Sequence, residues 1–261
     1  MSHFKVVIPA RYGSSRLPGK PLLRLAGKPM ILHVCDRARE AGAEEVIVAT
    51  DHDQIRTCVE DYGVCALMTR KEHRNGTERI AEVCEIQGWN DSDIVVNVQG
   101  DEPLVPAPTI RRLAAALKYS TISRVATLAT AIDSPEELFD PNAVKVVVDR
   151  SGHALYFSRA PIPWDSDRFN PIQKPRSLAA DYQRHIGMYA YSVEFLNRYK
   201  DWQTSDLEQI ESLEQLRILW HGERILVIRI ETAPEAGVDT RDDLIRVEEA
   251  LRAGLTSERD S

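Results

Sequence analysis

The sequence predicts an α/β protein with a Rossmann-like, mostly parallel sheet that is flanked by helices and carries an inserted smaller lobe. Two observations lead to this prediction. Short β-rich runs alternate with helical patterns in the first half of the chain, as they do in parallel sheets with crossover helices. The runs Phe4–Ile8 and Ile94–Val98 are largely apolar rather than alternating, which indicates strands that are buried on both faces.

The individual helices and strands are predicted from the spacing of apolar residues and from residues that favour the ends of helices. After Pro29, the apolar residues Ile31, Val34 and Ala38 recur at helical spacing, and Pro106 suits the opening of a later helix because its missing N–H is no loss there. The predicted helices run from Pro29 to near Gly42 and over Asp53–Tyr62, Thr77–Gln87, Pro106–Tyr119, Val193–Tyr199, Leu207–His221 and Thr240–Leu251. The predicted strands are Phe4–Ile8, Val46–Ala49, Val64–Met68, Ile94–Val98, Ile186–Tyr191 and Ile225–Ile230.

The middle of the chain departs from this alternation. Four prolines and several aromatic residues fall between residues 151 and 182. This composition indicates an irregular excursion that covers a site or another subunit, rather than a further βαβ repeat.

Composition argues against two classes of protein. The net charge of −7 does not suit a general nucleic-acid binder. No apolar stretch approaches the roughly 18 residues that cross a bilayer, and the N-terminus resembles no signal peptide, so we expect a cytoplasmic protein with no membrane partner. The four cysteines form no CxxC pair, and reduced thiols in or near the core are expected.

The loop after the first strand has the composition of an anion site. No acidic residue precedes Asp36, whereas Arg11, Arg16 and Lys20 all lie in this loop. Gly13 and other small residues let backbone N–H groups approach a phosphate. The spacing is neither that of a Walker A loop nor GxGxxG. The loop therefore predicts a phosphate site of another kind.

Two acidic residues are candidates for holding Mg²⁺. Asp101 lies just past the predicted strand Ile94–Val98, and Asp239 follows the last strand, so both can reach the same edge of the sheet. Mg²⁺ prefers one or two carboxylates together with phosphate oxygens and water. Taken alone, either residue is better interpreted as a helix cap, Asp239 in particular because it precedes a predicted helix.

The ordered motifs of the chain resemble those of the 3-deoxy-manno-octulosonate (KDO) cytidylyltransferases, or CMP-KDO synthetases, within the nucleotide-diphospho-sugar transferases. The resemblance covers nearly the whole chain. The motifs that carry it are the loop Pro9–Pro21, Val48–Asp51, Gly76–Arg79, Asn97–Pro103, Asn142–Lys145, Tyr156–Arg159, Arg184–Tyr189, Leu213–Leu216 and Gly237–Thr240. At position 75 the chain has asparagine where relatives commonly carry serine.

The resemblance implies Mg²⁺-assisted transfer of CMP from CTP to KDO, an acidic eight-carbon sugar, with release of diphosphate, for lipopolysaccharide biosynthesis. It implies one nucleotidyltransferase domain over residues 1–261, with nucleotide binding mainly in 1–130 and sugar binding and homodimer formation in about 131–225. The implied catalytic residues are Arg11, Lys20, Asp101 and Asp239, of which Asp101 and Asp239 hold the metal. The implied nucleotide-binding residues are Arg11, Gly13, Ser14, Lys20, Asn75, Gly76 and Gln99. The implied sugar-binding residues are Gln99, Arg159, His185, Tyr189, Glu214 and Gln215.

Several alternatives stay open at this point. A CMP-sialate synthetase or a transferase acting on sugar 1-phosphates would keep the fold but need another acceptor pocket. An 8-amino analogue of KDO is a close variant of the acceptor. A nucleotide-binding regulatory protein is disfavoured because Lys20, Asp101 and Asp239 are all present. Outside the joint motif, Glu214 and Gln215 would read as the polar face of an amphipathic helix.

Overall fold

The computed structural model describes residues 3–13, 17–169 and 175–257. Its strands are β1 (Lys5–Ala10), β2 (Arg24–Leu25), β3 (Lys28–Pro29), β4 (Glu45–Thr50), β5 (Cys65–Met68), β6 (Ile94–Asn97), β7 (Val125–Ala131), β8 (Lys145–Val148), β9 (Ala154–Ser158), β10 (Gln183–Ser192) and β11 (Ile225–Arg229). Its α-helices are α1 (Met30–Glu40), α2 (Asp53–Asp61), α3 (Gly76–Gln87), α4 (Ala107–Lys118), α5 (Pro135–Leu138), α6 (Val193–Tyr199), α7 (Asp206–Glu211), α8 (Gln215–Trp220) and α9 (Arg241–Ser257).

The main sheet confirms the predicted mostly parallel architecture. Its strand order is β11-β7-β10-β6-β1-β4-β5, and within this path only β10 runs antiparallel to its neighbours. The chain leaves β1 towards β4 on one side, whereas β6 lies on the other, so the strand order switches between β1 and β6. Ligands of such sheets bind beyond the carboxyl ends of the strands at this kind of switch point.

Helices cover both faces of the sheet, which explains why β1 is apolar at successive positions. Val6 and Ile8 are fully buried in the cluster that contains apolar residues of α1 and α4. Val7, which points to the opposite face, is fully buried in the cluster that contains residues of α3 and α6. Full burial of one such side chain stabilises the fold by about 1.5–3 kcal/mol.

Several features differ from the sequence-based expectations. β7 is a buried central strand in a stretch where no element was predicted. The excursion over residues 151–182 is less irregular than expected, since β9 lies in it and pairs with β8 as a hairpin that joins the main sheet through β10. The predicted helix Leu207–His221 is two helices, because the chain takes a left-handed conformation at Ser212 with a φ of 52°.

The other predicted helices and strands are found within a few residues of their expected bounds. The last helix is longer than predicted and extends to Ser257. Among the described residues, none of the helices combines the length and the apolar character that a membrane span needs.

Candidate active site

The turn after β1 carries the cationic end of the candidate site. It ends at Gly19, whose φ of 67° lies in the left-handed region that favours glycine. Gly19 donates its N–H to the carbonyl of Tyr12 at 3.1 Å, so the loop folds back on itself. Lys20 follows in a short 3₁₀ turn and lies beside the loop after β6.

Lys20 makes three hydrogen bonds with its ammonium group at this place. Nζ donates to Oδ2 of Asp101 at 2.5 Å, to the carbonyl of Val238 at 2.9 Å and to Oδ1 of Asp239 at 3.1 Å. Burial alone would lower the pKa of Lys20, but the two carboxylates outweigh that effect and the pKa is raised. Lys20 is therefore charged at neutral pH, and the two aspartates meet in space as the sequence led us to expect.

Close backbone packing holds the loops of the two aspartates together. Val238 donates its N–H to the carbonyl of Asp101 at 2.8 Å. A Cβ on Gly237 would lie 2.9 Å from that same carbonyl oxygen, and a Cβ on Gly100 would lie 2.9 Å from the carbonyl oxygen of Pro9. Both positions thus need glycine, because larger residues would separate the loops that follow β1, β6 and β11.

A cavity of about 330 Å³ opens between these loops. The predicted site residues that line it are Arg11, Gly13, Lys20, Gln99, Asp101 and Asp239. A Cβ on Gly13 would meet no atom of the described residues within 4 Å. Ser14, which was expected to bind nucleotide, and Arg16 lie outside the described residues.

The acidic pair has the ligand chemistry that a hard divalent cation prefers. Asp101 and Asp239 already hold one cationic group between them, the ammonium of Lys20. In the described part of the chain, no group of three or more His, Cys, Asp or Glu side chains could hold a metal ion. A Mg²⁺ ion at this pair would therefore take its other ligands from phosphate oxygens and water, which is its usual preference.

Glu102 does not add a third negative charge to this pair. Its carboxyl lies deep among protein atoms, and burial, together with the nearby Asp101, raises the pKa of Glu102 to about 8. No group in the described part of the chain forms a hydrogen bond with its Oε2. The carboxyl is mainly neutral at pH 7, so it adds little negative charge beside Asp101 and Asp239.

The first turn of α3 lies beside Pro9, which lines this cavity. Asn75 is the N-cap: its Oδ1 accepts the N–H of Glu78 at 2.9 Å, and its Nδ2 donates to the hydroxyl of Tyr199 at 3.3 Å. Asparagine at this position therefore caps the helix by itself. A Cβ on Gly76 would make only ordinary contacts, at 3.6 Å with Pro9 and 3.7 Å with Asn97, so the fold alone does not require glycine there.

Arg11 ties the first loop to the segment that precedes α3. Its Nη2 donates to the carbonyl of His73 at 2.6 Å. The guanidinium has further N–H groups that this bond does not use, and it lines the cavity beside Lys20. The two cationic side chains thus approach the cavity from different parts of the loop.

A second cavity of about 600 Å³ lies next to Asn75. Its lining includes Arg74, Asn75, Glu208 and Glu214. The carboxyl of Glu214 lies deep among protein atoms, and burial raises its pKa to about 7 although its Oε1 accepts a hydrogen bond from Thr77 at 3.0 Å. Gln215, the next residue, is buried, and its Nε2 has no hydrogen-bond partner among the described residues.

His185 and Tyr189 lie together on β10. Burial lowers the pKa of His185 to about 3, so the imidazole is neutral. Its Nε2 lies 2.9 Å from Oγ1 of Thr127, whose hydroxyl donates to backbone carbonyls. Since that hydroxyl has one proton, we infer that Nε2 of His185 carries the ring proton and that Nδ1 is an acceptor. The ring centroids of His185 and Tyr189 are 5.4 Å apart.

Arg159 is engaged by the backbone around Ser212. Its Nε donates to the carbonyl of Glu211 at 2.8 Å, its Nη1 to that of Pro141 at 2.9 Å and its Nη2 to that of Ser212 at 3.5 Å. The guanidinium thereby fixes the turn that leads into Glu214. A role as a ligand of the sugar carboxylate stays a prediction for the N–H groups that these bonds do not use.

Sequence reasoning missed the polar residues beneath the site. Thr77 is buried and contacts both Glu214 and the hydroxyl of Tyr191, and Lys145 is buried and donates to two backbone carbonyls. Arg217 joins Glu78 and Glu208. Thr77, Glu78 and Lys145 fall in the motifs quoted above, but their partners are far away in the sequence and no local signal identifies them.

Comparison with known proteins gives consistent results. A family model described as cytidylyltransferase matches residues 5–225. A 3-deoxy-manno-octulosonate cytidylyltransferase of Methylococcus capsulatus is 57% identical over 248 residues, which cover 95% of this chain and 96% of the relative. The protein of the same name in Pasteurella multocida is 52% identical over 258 residues, with 96% and 99% covered. A solved structure of CMP:2-keto-3-deoxy-manno-octonic acid synthetase complexed with CTP matches with a TM-score of 0.86 at 42% identity, over 97% of this chain and 100% of the other.

Proposed function

The chain belongs to the 3-deoxy-manno-octulosonate cytidylyltransferases, and from that premise we propose that it transfers CMP from CTP to KDO and releases diphosphate. The observation that carries the proposal is the convergence of Lys20, Asp101 and Asp239 at the cavity that Gly13 also lines. The anomeric hydroxyl oxygen of the sugar bonds to the α-phosphorus of CTP. The bond from that phosphorus to the bridging oxygen breaks, and the hydroxyl proton passes to solvent.

The residues of the first cavity suit the triphosphate. Lys20 and Arg11 bring positive charge to it, and the backbone at Gly13 leaves room for close approach of a phosphate. Phosphoryl transfer depends mainly on such positioning and charge neutralisation, so no covalent enzyme intermediate is needed. Arg11, Gly13, Lys20 and Gln99 are therefore our proposed nucleotide contacts in this cavity.

Asp101 and Asp239 would hold the Mg²⁺ of this reaction. When bound, Mg²⁺ neutralises charge on the phosphates and lowers the pKa of a hydroxyl that it coordinates. The chain's own contribution is to keep the two carboxylates adjacent, through the backbone hydrogen bond between Val238 and Asp101. Lys20 balances their charge.

Asn75 and Gly76 are the proposed contacts for the cytosine ring. The side chain of Asn75 is used as a helix cap and in a bond to Tyr199, so base recognition there falls to backbone groups around Gly76. Since the fold would accept a Cβ at Gly76, close approach of a base is a reason for glycine at this position. Backbone groups can distinguish the amine of cytosine from the carbonyl of uracil.

The sugar acid would contact residues of β10, α8 and the segments next to them. The proposed contacts are Gln99, Arg159, His185, Tyr189, Glu214 and Gln215. The unpartnered Nε2 of Gln215 and the neutral His185 are suited to sugar hydroxyls, and Arg159 is suited to the carboxylate. The acceptor we propose is KDO, with its 8-amino analogue as a close variant.

The wider setting is also part of the proposal. We infer a cytoplasmic homodimer that supplies lipopolysaccharide synthesis, with nucleotide binding mainly in residues 1–130 and sugar binding and dimer contacts in about 131–225. All four cysteines are free, which suits a reducing compartment.

Diphosphate release from a panel of nucleotides and sugar acids tests this function. We expect release only with CTP, KDO and Mg²⁺ together, and its loss when EDTA replaces the metal. Equal turnover with UTP, or with sialic acid in place of KDO, would overturn the specificity that we propose.

A further inference from the structure

Arg217 is a buried cation that contacts three different helices. Its side chain is only 3% exposed. Nε and Nη2 donate to the two carboxylate oxygens of Glu208 on α7, at 2.7 and 2.6 Å, and Nη1 donates to Glu78 on α3 at 3.2 Å. The guanidinium carbon lies 4.8 Å from the ring centroid of Tyr199 on α6. One side chain thus links α8 to α3, α6 and α7.

Glu78 also lies in the first turn of α3, next to Asn75 and Gly76, which are the proposed cytosine contacts. Its Oε2 accepts the N–H of Arg74 at 2.9 Å, and its own N–H is bound by the cap residue Asn75. Any shift of Glu78 therefore moves the first turn of α3. Thr77, the preceding residue, would move with it.

Arg217 also fixes the corner between α7 and α8, which carries the proposed sugar contacts Glu214 and Gln215. Its backbone N–H donates to the carbonyl of Glu214 at 3.2 Å, and its guanidinium donates to the carboxylate of Glu208 on the preceding helix. The carboxyl of Glu214 is in turn bound by Thr77 at 3.0 Å. Arg217 with Glu78 and Glu214 with Thr77 are therefore two of the contacts that join the halves of the site.

We propose that Arg217 is a positioning residue that couples the nucleotide and sugar halves of the active site by fixing the first turn of α3 against the corner between α7 and α8. The inference rests on the function proposed above. Stability alone does not account for an arginine here, because well-packed apolar residues often stabilise a fold as much as a buried ion pair does. Only a planar fork can bind both oxygens of Glu208 and reach Glu78 as well.

Arg217 also affects the ionisation of Glu214. The polar and charged groups that face this carboxyl are Thr77 and Glu78 from α3, Tyr189 and Tyr191 from β10, Tyr199 from α6, Glu208 from α7 and Arg217 from α8. Burial raises the pKa of Glu214, Glu208 and Glu78 raise it further, and Arg217 opposes them. Loss of the Arg217 charge therefore raises that pKa.

The test uses cross-effects on KM in the full chain with CTP, KDO and Mg²⁺. Glu78→Gln changes the nucleotide side, yet we expect it to raise the KM for KDO at least threefold. Glu208→Gln changes the sugar side, and we expect the same rise in the KM for CTP. Arg217→Met should raise both KM values about tenfold, and Arg217→Lys should restore them only in part.

Arg198→Met is the matched control. Arg198 also pairs with a carboxylate, Glu223, at 2.6 Å and lies 5.7 Å from the ring of Trp202, but neither partner lines the described cavities. Both KM values should stay within twofold of wild type. The midpoint in the pH dependence of the KM for KDO should move to higher pH in Arg217→Met and stay unchanged in the control.

Each possible result of these measurements either supports or contradicts the coupling role of Arg217. If each glutamate variant changes only the KM of the substrate on its own side, Arg217 does not couple the halves and the proposal is wrong. If Arg217→Met fails to fold, the two glutamine variants still give this answer, because they keep the size of the side chain. A wild-type protein that makes no CMP-KDO would refute the proposed function instead.

Discussion

Asp101 and Asp239 lie against one ammonium group, with Nζ of Lys20 at 2.5 Å from the first carboxylate and 3.1 Å from the second. They reach this place from the ends of β6 and β11, which stand on either side of β7 and β10 in the sheet. The loop after β11 must cross this edge of the sheet to bring Asp239 to Asp101. The packing of Gly237 against the carbonyl of Asp101 is what allows it to do so.

Replacement of Gly237 by alanine should separate the two carboxylates. The new Cβ would lie 2.9 Å from the carbonyl oxygen of Asp101, so the loop has to move and Asp239 moves with it. We expect kcat to fall at least about tenfold, since small misplacements in an active site are costly. Steady-state kinetics measure this, and unchanged kcat at ordinary Mg²⁺ concentrations would show that the close approach is unimportant. Gly13→Ala, at a position with open space, should leave the melting temperature unchanged.

The KM for KDO should depend on the ionisation of Glu214. Its carboxyl is half protonated near pH 7 because burial raises its pKa to about 7. The charged form accepts hydrogen bonds from sugar hydroxyls more strongly than the neutral form, so the KM should fall as the pH rises through 7. Glu214→Gln, which cannot ionise, should remove this dependence between pH 6 and 8. A variant that keeps the wild-type pH profile would assign the titration to another group.

His185 should stay neutral across the working pH range. Burial lowers its pKa to about 3, and its Nε2–H is directed at Thr127. Nitrogen NMR of the labelled ring should show one protonated and one unprotonated nitrogen from pH 5 to pH 9. Titration within that range would contradict the assignment. His185→Phe should raise the KM for KDO and leave that for CTP nearly unchanged.

Arg159 should affect sugar binding, and a chemical comparison can separate its two possible routes. Arg159→Ala is expected to raise mainly the KM for KDO. If the guanidinium binds the carboxylate, wild type should discriminate against the KDO carboxamide and the variant should largely lose that discrimination. If both proteins discriminate equally against the carboxamide, Arg159 does not bind the carboxylate and acts only by supporting the turn at Ser212. An effect confined to CTP would move Arg159 to the nucleotide half.

The parallel sheet and the meeting of the two aspartates could be predicted because both follow from local patterns and sheet topology. Buried apolar runs indicate parallel strands, and the ends of such strands share one edge. β7 was missed because its sequence, Val125–Ala131, consists mainly of alanine and threonine and lacks a strong apolar signal. The break at Ser212 was missed because a serine seldom takes a positive φ, and nothing nearby signals it.

The contacts of the buried polar residues could not be predicted from the sequence. Arg217 and Glu78 are far apart in the chain, and their pairing depends on how α3 and α8 pack. The same holds for Arg159, whose guanidinium is bound by backbone carbonyls that any residue could supply. The resemblance identified Arg159 as a site residue, and only the structure shows the bonds that it already makes.

The most direct test of the account is diphosphate release by Asp101→Asn and Asp239→Asn at saturating CTP, KDO and Mg²⁺. Each substitution keeps the size of the side chain and removes one negative charge from the pair around Lys20. We predict that turnover falls at least about 100-fold in both variants while the melting temperature stays close to that of wild type. Near-normal turnover in either variant would contradict the role of the pair as the metal site.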